Sequence, residues 1–134
     1  MSNKPLSVLL IDDDETTRNI FRMVLDHYQY SLTTMNDGES ALAYLEQQNR
    51  QRNPSPDVIV IDIFLPGKNG YEMLDQIKGS EFGKAPRFIA TTSYYTTDTA
   101  DQLMKHGFNG ILFKPLDAQH IVPYLDEVAH QKAL

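Results

Sequence analysis

Val58-Ile59-Val60-Ile61-Asp62-Ile63-Phe64-Leu65-Pro66-Gly67-Lys68-Asn69-Gly70 is the stretch on which the fold turns. Val58–Ile61 is wholly apolar and β-branched, the composition of a strand covered on both faces. It stops at a carboxylate, Asp62. Pro66 to Gly70 then turn the chain toward a helix expected over Tyr71–Lys78, with Met73, Leu74 and Ile77 inward. A strand covered on both faces needs partners of the same kind, and four more strand–helix units are legible. Leu6–Ile11 precedes a helix near Glu15–Tyr28, capped by Asp14, with Ile20, Phe21, Val24, Leu25 and Tyr28 on one face. Ser31–Met35 is a weaker strand, after which Asp37 and Gly38 lead into a helix carrying Ala41, Leu42 and Leu45. A polar loop is expected from Gln47 to Pro56, without apolar periodicity and with two prolines. Phe88–Thr91 precedes a helix near Asp98–His106, capped by Thr97 and stopped by Gly107. Gly110–Phe113 precedes a helix over about Asp117–His130, where Pro123 predicts a kink or a late start.

Five alternating βα units predict an α/β fold: a five-stranded parallel sheet, right-handed crossovers and helices on both faces. The 134 residues suit a single domain over 1–134, and no internal repeat, low-complexity segment or linker interrupts them.

Twelve basic against eighteen acidic residues leave a net charge of −6, which argues against direct nucleic-acid binding by the whole domain. There is no cysteine, hence neither a disulfide framework nor a thiolate metal site. No apolar run approaches the roughly 20 residues of a membrane span, and Met1–Pro5 lacks the apolar stretch of a signal peptide. A cytoplasmic protein that does not engage a membrane is the expectation.

The residues directly after each strand are the informative ones. The first strand ends in Asp12 and Asp13, the third in Asp62, the fourth in Thr92 and Ser93, and the fifth in Lys114. In a parallel sheet all these lie along one carboxyl edge, where open α/β sheets bind their ligands. Three carboxylates gathered there repel one another unless their pKa values rise or a cation neutralises them. Oxygen donors without His or Cys favour a hard ion, magnesium first. A carboxylate nucleophile, a metal, an ammonium and a hydroxyl together suit phosphoryl transfer. Each residue alone has a plainer reading. An aspartate pair after a strand serves as well as a helix cap, Asp14 reads as a cap rather than a ligand, and Asp62 could open a turn. The four histidines, His27, His106, His120 and His130, lack metal-ligand spacing and read as surface residues. Only the joint arrival at four strand ends singles these residues out.

These residues resemble the receiver domains of two-component response regulators, similar in layout to chemotaxis-type single-domain regulators. The matching motifs are Val8–Asp14, Val58–Gly70, Ala90-Thr91-Thr92-Ser93 and Lys114-Pro115, and the likeness covers about Leu6 to Val128. The resemblance implies a flavodoxin-like sheet of order 2-1-3-4-5. It implies Asp62 as phosphoacceptor, with Mg2+ (or Mn2+) bound directly by Asp13, Asp62 and the Phe64 backbone carbonyl, and through water by Asp12. Thr92 would contact the phosphoryl group and shift toward it, Lys114 would pair with Asp62 and the phosphoryl oxygens, and the Lys114–Pro115 bond would be cis. The donor would be a phosphohistidine on a sensor histidine kinase or a histidine phosphotransfer protein. The protein would be no enzyme beyond its own phosphorylation and dephosphorylation.

The chain departs from the family at Ile111, where an aromatic side chain often tracks the threonine's movement. Tyr94 and Tyr95 are the candidates to take over that role. Phe64 and Tyr94 match the variable positions flanking the phosphoryl group, and bulky rings there predict slow hydrolysis. Tyr95, Met104, Phe108, Ile111 and Tyr124 are candidate contacts for an unknown downstream protein, although Phe108 and Ile111 read equally well as core. Two rival readings stand beside this one. A pseudo-receiver would bind partners without taking phosphate. A haloacid-dehalogenase-type phosphatase would use Asp12 as its nucleophile, and the Asp62–Pro66–Gly70 segment and the short chain argue against it.

Overall fold

The computed structural model describes residues 5–131. The expectations for Met1–Lys4 and for the end of the 1–134 span therefore lie outside the described residues. Five strands, β1 (Ser7–Ile11), β2 (Ser31–Met35), β3 (Val58–Asp62), β4 (Arg87–Thr92) and β5 (Gly110–Phe113), form one parallel sheet in the order β2-β1-β3-β4-β5. Five helices alternate with them: α1 (Glu15–His27), α2 (Gly38–Arg50), α3 (Gly70–Lys78), α4 (Thr97–His106) and α5 (Ala118–Ala129). β3 sits at the centre, pairing Val58–Ile61 with Val8–Ile11 on one side and Val58–Asp62 with Arg87–Thr91 on the other.

The alternation of side chains along each strand sorts the core into two layers. Leu9, Ile11, Ile59, Ile61, Phe88 and Ala90 face α2, α3 and α4, where Leu45, Leu74, Ile77 and Leu103 pack on them. Val8, Leu10, Val58, Val60 and Ile89 face α1 and α5, meeting Phe21, Leu25, Ile121 and Leu125. Every residue of β3 is buried, as its unbroken apolar run requires.

Several boundaries differ from the sequence reading, each for a local reason. Gln47–Arg50 are helical rather than loop: α2 runs on until Arg52 takes a positive φ of 60°, so the loop before β3 is shorter than expected. Thr96, not Thr97, caps α4, accepting a hydrogen bond from the Thr99 amide at 3.0 Å. α3 starts at Gly70 under a capping box made by Asn69 and Glu72. α5 does not start late, since Pro123 lies inside it. Asp14 is the cap of α1, as read, accepting from the Thr16 amide. Gly70 is demanded by close packing: a Cβ there would stand 2.8 Å from Ile63 Cα and 2.9 Å from the Asp62 carbonyl oxygen. That contact lets the β3–α3 loop fold back against the end of β3.

Candidate functional site

Asp12, Asp62 and Thr92 leave the carboxyl edge by one shared construction. Each side chain accepts a hydrogen bond from the backbone amide two residues on: Asp12 Oδ1 from Asp14 at 2.9 Å, Asp62 Oδ1 from Phe64 at 3.0 Å, and Thr92 Oγ1 from Tyr94 at 3.1 Å. Short polar side chains favour such turns. One oxygen of each aspartate is thereby fixed, and the other, Oδ2, faces the ammonium of Lys114. Lys114 Nζ lies 3.1 Å from Asp12 Oδ2 and 3.5 Å from Asp62 Oδ2. The Lys114 backbone amide donates to the Thr92 carbonyl at 2.8 Å, which ties the β5 exit to the β4 exit. Lys114–Pro115 is cis.

The carboxylates of Asp12, Asp13 and Asp62 offer oxygens that all lie within 4.8 Å of one another. Asp12, Asp62 and Thr92 are buried, while Asp13 is exposed at the mouth. Burial raises the pKa of Asp12 from 3.8 to about 6, assisted by the charge of Asp62 and opposed by the Asp14 amide and Lys114. Burial acts to lower the pKa of Lys114, but the charge and hydrogen bond of Asp12 and the charge of Asp62 outweigh it, so the ammonium is held protonated above its ordinary range. Asp12 Oδ2 is buried with no hydrogen bond of good geometry, although Lys114 is near. An all-oxygen donor set with a buried, under-satisfied carboxylate fits a hard divalent cation.

The structure thus brings together Asp12, Asp13, Asp62, Thr92 and Lys114. Phe64 borders them: its ring meets that of Tyr94 edge-on at 5.4 Å, and both rings are largely exposed, at 59% and 61%. Two participants carry no clear signal in the sequence. Arg18, in the first turn of α1, donates from Nη1 to the Asp12 carbonyl at 3.0 Å and steadies the backbone that carries the acidic pair. The one hint of it is a cation at a helix N-terminus, against the macrodipole. Phe113, next to Lys114, packs on Tyr95 with ring centroids 4.3 Å apart. Of the candidate contact residues, Tyr95 and Met104 are exposed, but Phe108 is core and Ile111 packs against the core. Tyr124 is half-buried, and its hydroxyl accepts from the Ile111 amide at 2.7 Å. Among the described residues no helix is long and apolar enough to cross a membrane.

Comparison with known proteins identifies the family and the fold. The model of the response regulator receiver domain matches residues 8–126. The response regulator Rcp1 of Synechocystis sp. is 34% identical over 101 residues, covering 72% of this chain and 69% of that protein. A putative response regulator from Chloroflexus aurantiacus superposes with a TM-score of 0.81 at 25% identity, over 96% of this chain and 100% of that one. The receiver domain of a sensor histidine kinase from Pseudomonas aeruginosa, solved with magnesium coordinated in its active-site cleft, has the same fold. Its TM-score is 0.80 at 24% identity, over 95% of this chain and 99% of that one. With the motifs gathered at one sheet edge and the family match spanning nearly the whole chain, this protein belongs to the response regulator receiver domain family.

Proposed function

We propose that Asp62 takes a phosphoryl group from a phosphohistidine and that the resulting aspartyl phosphate switches a partner-binding face. The observation that carries this reading is the placement of Lys114 within 3.1 Å of Asp12 and 3.5 Å of Asp62, beside three converging carboxylates. Asp62 forms the new O–P bond as the P–N bond of the donor breaks, and the electron pair leaves on the imidazole nitrogen. Lys114 neutralises phosphoryl oxygens, and the Thr92 hydroxyl donates to one of them. Asp13, Asp62 and the Phe64 carbonyl would hold Mg2+ (or Mn2+), with Asp12 acting through water. The cation would supply charge neutralisation that lets an anionic nucleophile meet an anionic donor. Magnesium bound by the Pseudomonas neighbour supports this choice.

Asp12 is less accessible than Asp62 as the nucleophile of the phosphatase reading: its side chain is fully buried and its Oδ2 lies 3.1 Å from Lys114, whereas the Asp62 side chain is 8% exposed with its Oδ2 3.5 Å away. In our reading residues 1–134 form one cytoplasmic domain that is modified rather than one that turns over a substrate. Its donor is a sensor histidine kinase or histidine phosphotransfer protein, and its output is a downstream protein. The test is the intact mass of the protein with magnesium and a small-molecule phosphodonor. One magnesium-dependent phosphoryl adduct is expected. No adduct, under conditions that label another receiver, would leave the pseudo-receiver reading instead.

The aromatic residues carry two further expectations. The Phe64 and Tyr94 rings stand at the mouth and hinder an attacking water. Phe64→Asn and Tyr94→Glu should each shorten the phosphate half-life by about tenfold, the equivalent of ~1.4 kcal/mol in barrier. Unchanged or slower loss in both variants would refute the shielding role. Tyr95 bridges the two segments that sense the phosphoryl group, since it follows Thr92 in its loop and packs on Phe113 beside Lys114. Tyr95→Ala should therefore weaken phosphorylation-dependent partner binding while leaving the yield of adduct unchanged. Binding of wild-type strength by both Tyr95→Ala and Tyr94→Ala would remove the tyrosines from the switch.

A further inference from the structure

Six basic residues lie at the end of the fold opposite Asp62, apart from Asp26, Asp126 and Glu127 in the last turns of α1 and α5. Helices α2, α3 and α4 all finish there, carrying Arg50, Lys78 and Lys105 in their last turns. Arg52 follows α2, Lys84 precedes β4 and Arg87 opens it. Glu46, Asp57, Asp75 and Glu81 are the acidic residues at the same ends of these elements; Glu46 pairs with Arg50 and Asp75 with His106. Cations in last turns complement the helix dipoles, which accounts for Arg50, Lys78 and Lys105. It does not account for Lys84 and Arg87, which lie in no α-helix.

The charge has a focus. A hollow of about 280 Å³ is lined by Lys78, Lys84, Arg87, Phe88 and Asn109, among others, and by no carboxylate. Lys78 is held in place by its bond to the Gly107 carbonyl at 2.7 Å and by the Phe88 ring 5.5 Å away. An ammonium has three donors, so that bond leaves others free. Arg87 donates from Nη2 to the Gln131 carbonyl and keeps its remaining N–H groups. Lys84 makes no hydrogen bond or ion pair among the described residues. Asn109 Oδ1 accepts from the Phe88 amide at 2.8 Å, which leaves its side-chain NH2 as a neutral donor. Asp57, across Arg87 in the adjoining hollow, is engaged by the Ser7 amide at 2.8 Å.

We propose that this hollow binds a compact multivalent oxyanion of the size and charge of pyrophosphate. Three cations and an amide side chain line a space just under the range of about 300–1,000 Å³ usual for small-molecule sites. A ligand of several oxygens matches that donor set. Lys78 also holds the carbonyl after α4, so occupancy is coupled to the C-terminal end of that helix.

The test is an amide-resolved NMR titration of the metal-free full chain with sodium pyrophosphate, at ionic strength held constant with sodium chloride. Saturable shifts are expected for amides in 78–88 and 107–110, with half-saturation near ~1 mM. The Lys84→Gln/Arg87→Gln double variant should weaken binding by about tenfold or more, the loss of ~1.4 kcal/mol. Its spectrum elsewhere should stay unchanged, which separates lost binding from lost folding. Shifts that chloride reproduces, or saturable shifts confined to Lys114 and the Asp62 edge, would overturn the proposal. The outcome does not depend on whether Asp62 accepts a phosphoryl group.

Discussion

An Asp62→Ala variant is expected to acquire no phosphoryl adduct under conditions that label the wild-type protein. Removal of a covalent nucleophile costs on the order of a million-fold in rate, which places the product below detection in an intact-mass spectrum. The neighbouring carboxylates do not substitute for it. Asp12 is fully buried, with one oxygen held by the Asp14 amide and the other facing the Lys114 ammonium rather than the mouth of the site. Asp13 is exposed and makes no contact with Lys114 within ion-pair distance among the described residues. Lys114 would lose its 3.5 Å partner yet keep Asp12, so the site should stay folded. Charge repulsion should also ease, because Asp62 is one of the groups that raise the pKa of Asp12. The expected result is thus a stable protein that cannot be labelled. An adduct of undiminished yield in the variant would move the acceptor away from Asp62 and dismantle the roles assigned around it.

Most of this arrangement was legible in the sequence because its signals are local and periodic. Val58–Ile61 has the β-branched composition of a doubly covered strand, and the residues after each strand identified the edge without any knowledge of strand order. The order itself rested on resemblance, since a parallel βα alternation admits several sequences of strands that satisfy the same crossover rule. Boundaries failed where side-chain capping overrides pattern. Thr96 and Thr97 are interchangeable by composition, and only the hydrogen bond to Thr99 separates them. The end of α2 was missed because Gln47–Arg50 are polar on every side, and an exposed last turn needs no apolar stripe. Arg18 and Phe113 escaped for a different reason. Each acts across tertiary space, on the Asp12 carbonyl and the Tyr95 ring, and no spacing along the chain announces such a contact. The reading of Phe108 and Ile111 was divided between core and interface, and burial placed both with the core.

Asp12→Asn should stabilise the metal-free protein at pH 8 and at the same time weaken its response to magnesium. The folded-state pKa of Asp12 is about 6 against an ordinary 3.8, raised first by burial and then by Asp62. A group whose pKa is raised on folding contributes stability that is complete below its unfolded pKa and lost as pH climbs through its folded one. For Asp12 that loss runs from about pH 4 to about pH 6 and persists above it. A rise of that size in pKa corresponds to ~3 kcal/mol. Asparagine does not ionise and so avoids that loss. The attraction of Lys114 is already contained in that figure, because it is among the causes that lower the Asp12 pKa; what offsets the gain is the asparagine NH2, a donor left beside an ammonium without an acceptor. A net gain of ~1–2 kcal/mol at pH 8 is therefore expected. It should shrink as pH falls below the folded pKa of about 6 and vanish only below the unfolded value of 3.8, where the wild-type carboxyl is protonated in both states. Urea unfolding in the presence of a chelator, at pH 8 and pH 4.5, measures this difference. Magnesium should then stabilise the variant less than the wild type, because ligand stabilisation follows affinity for the folded state. A variant that is less stable at pH 8, or a gap that does not change with pH, would mean that Asp12 is not the strained carboxylate of this site.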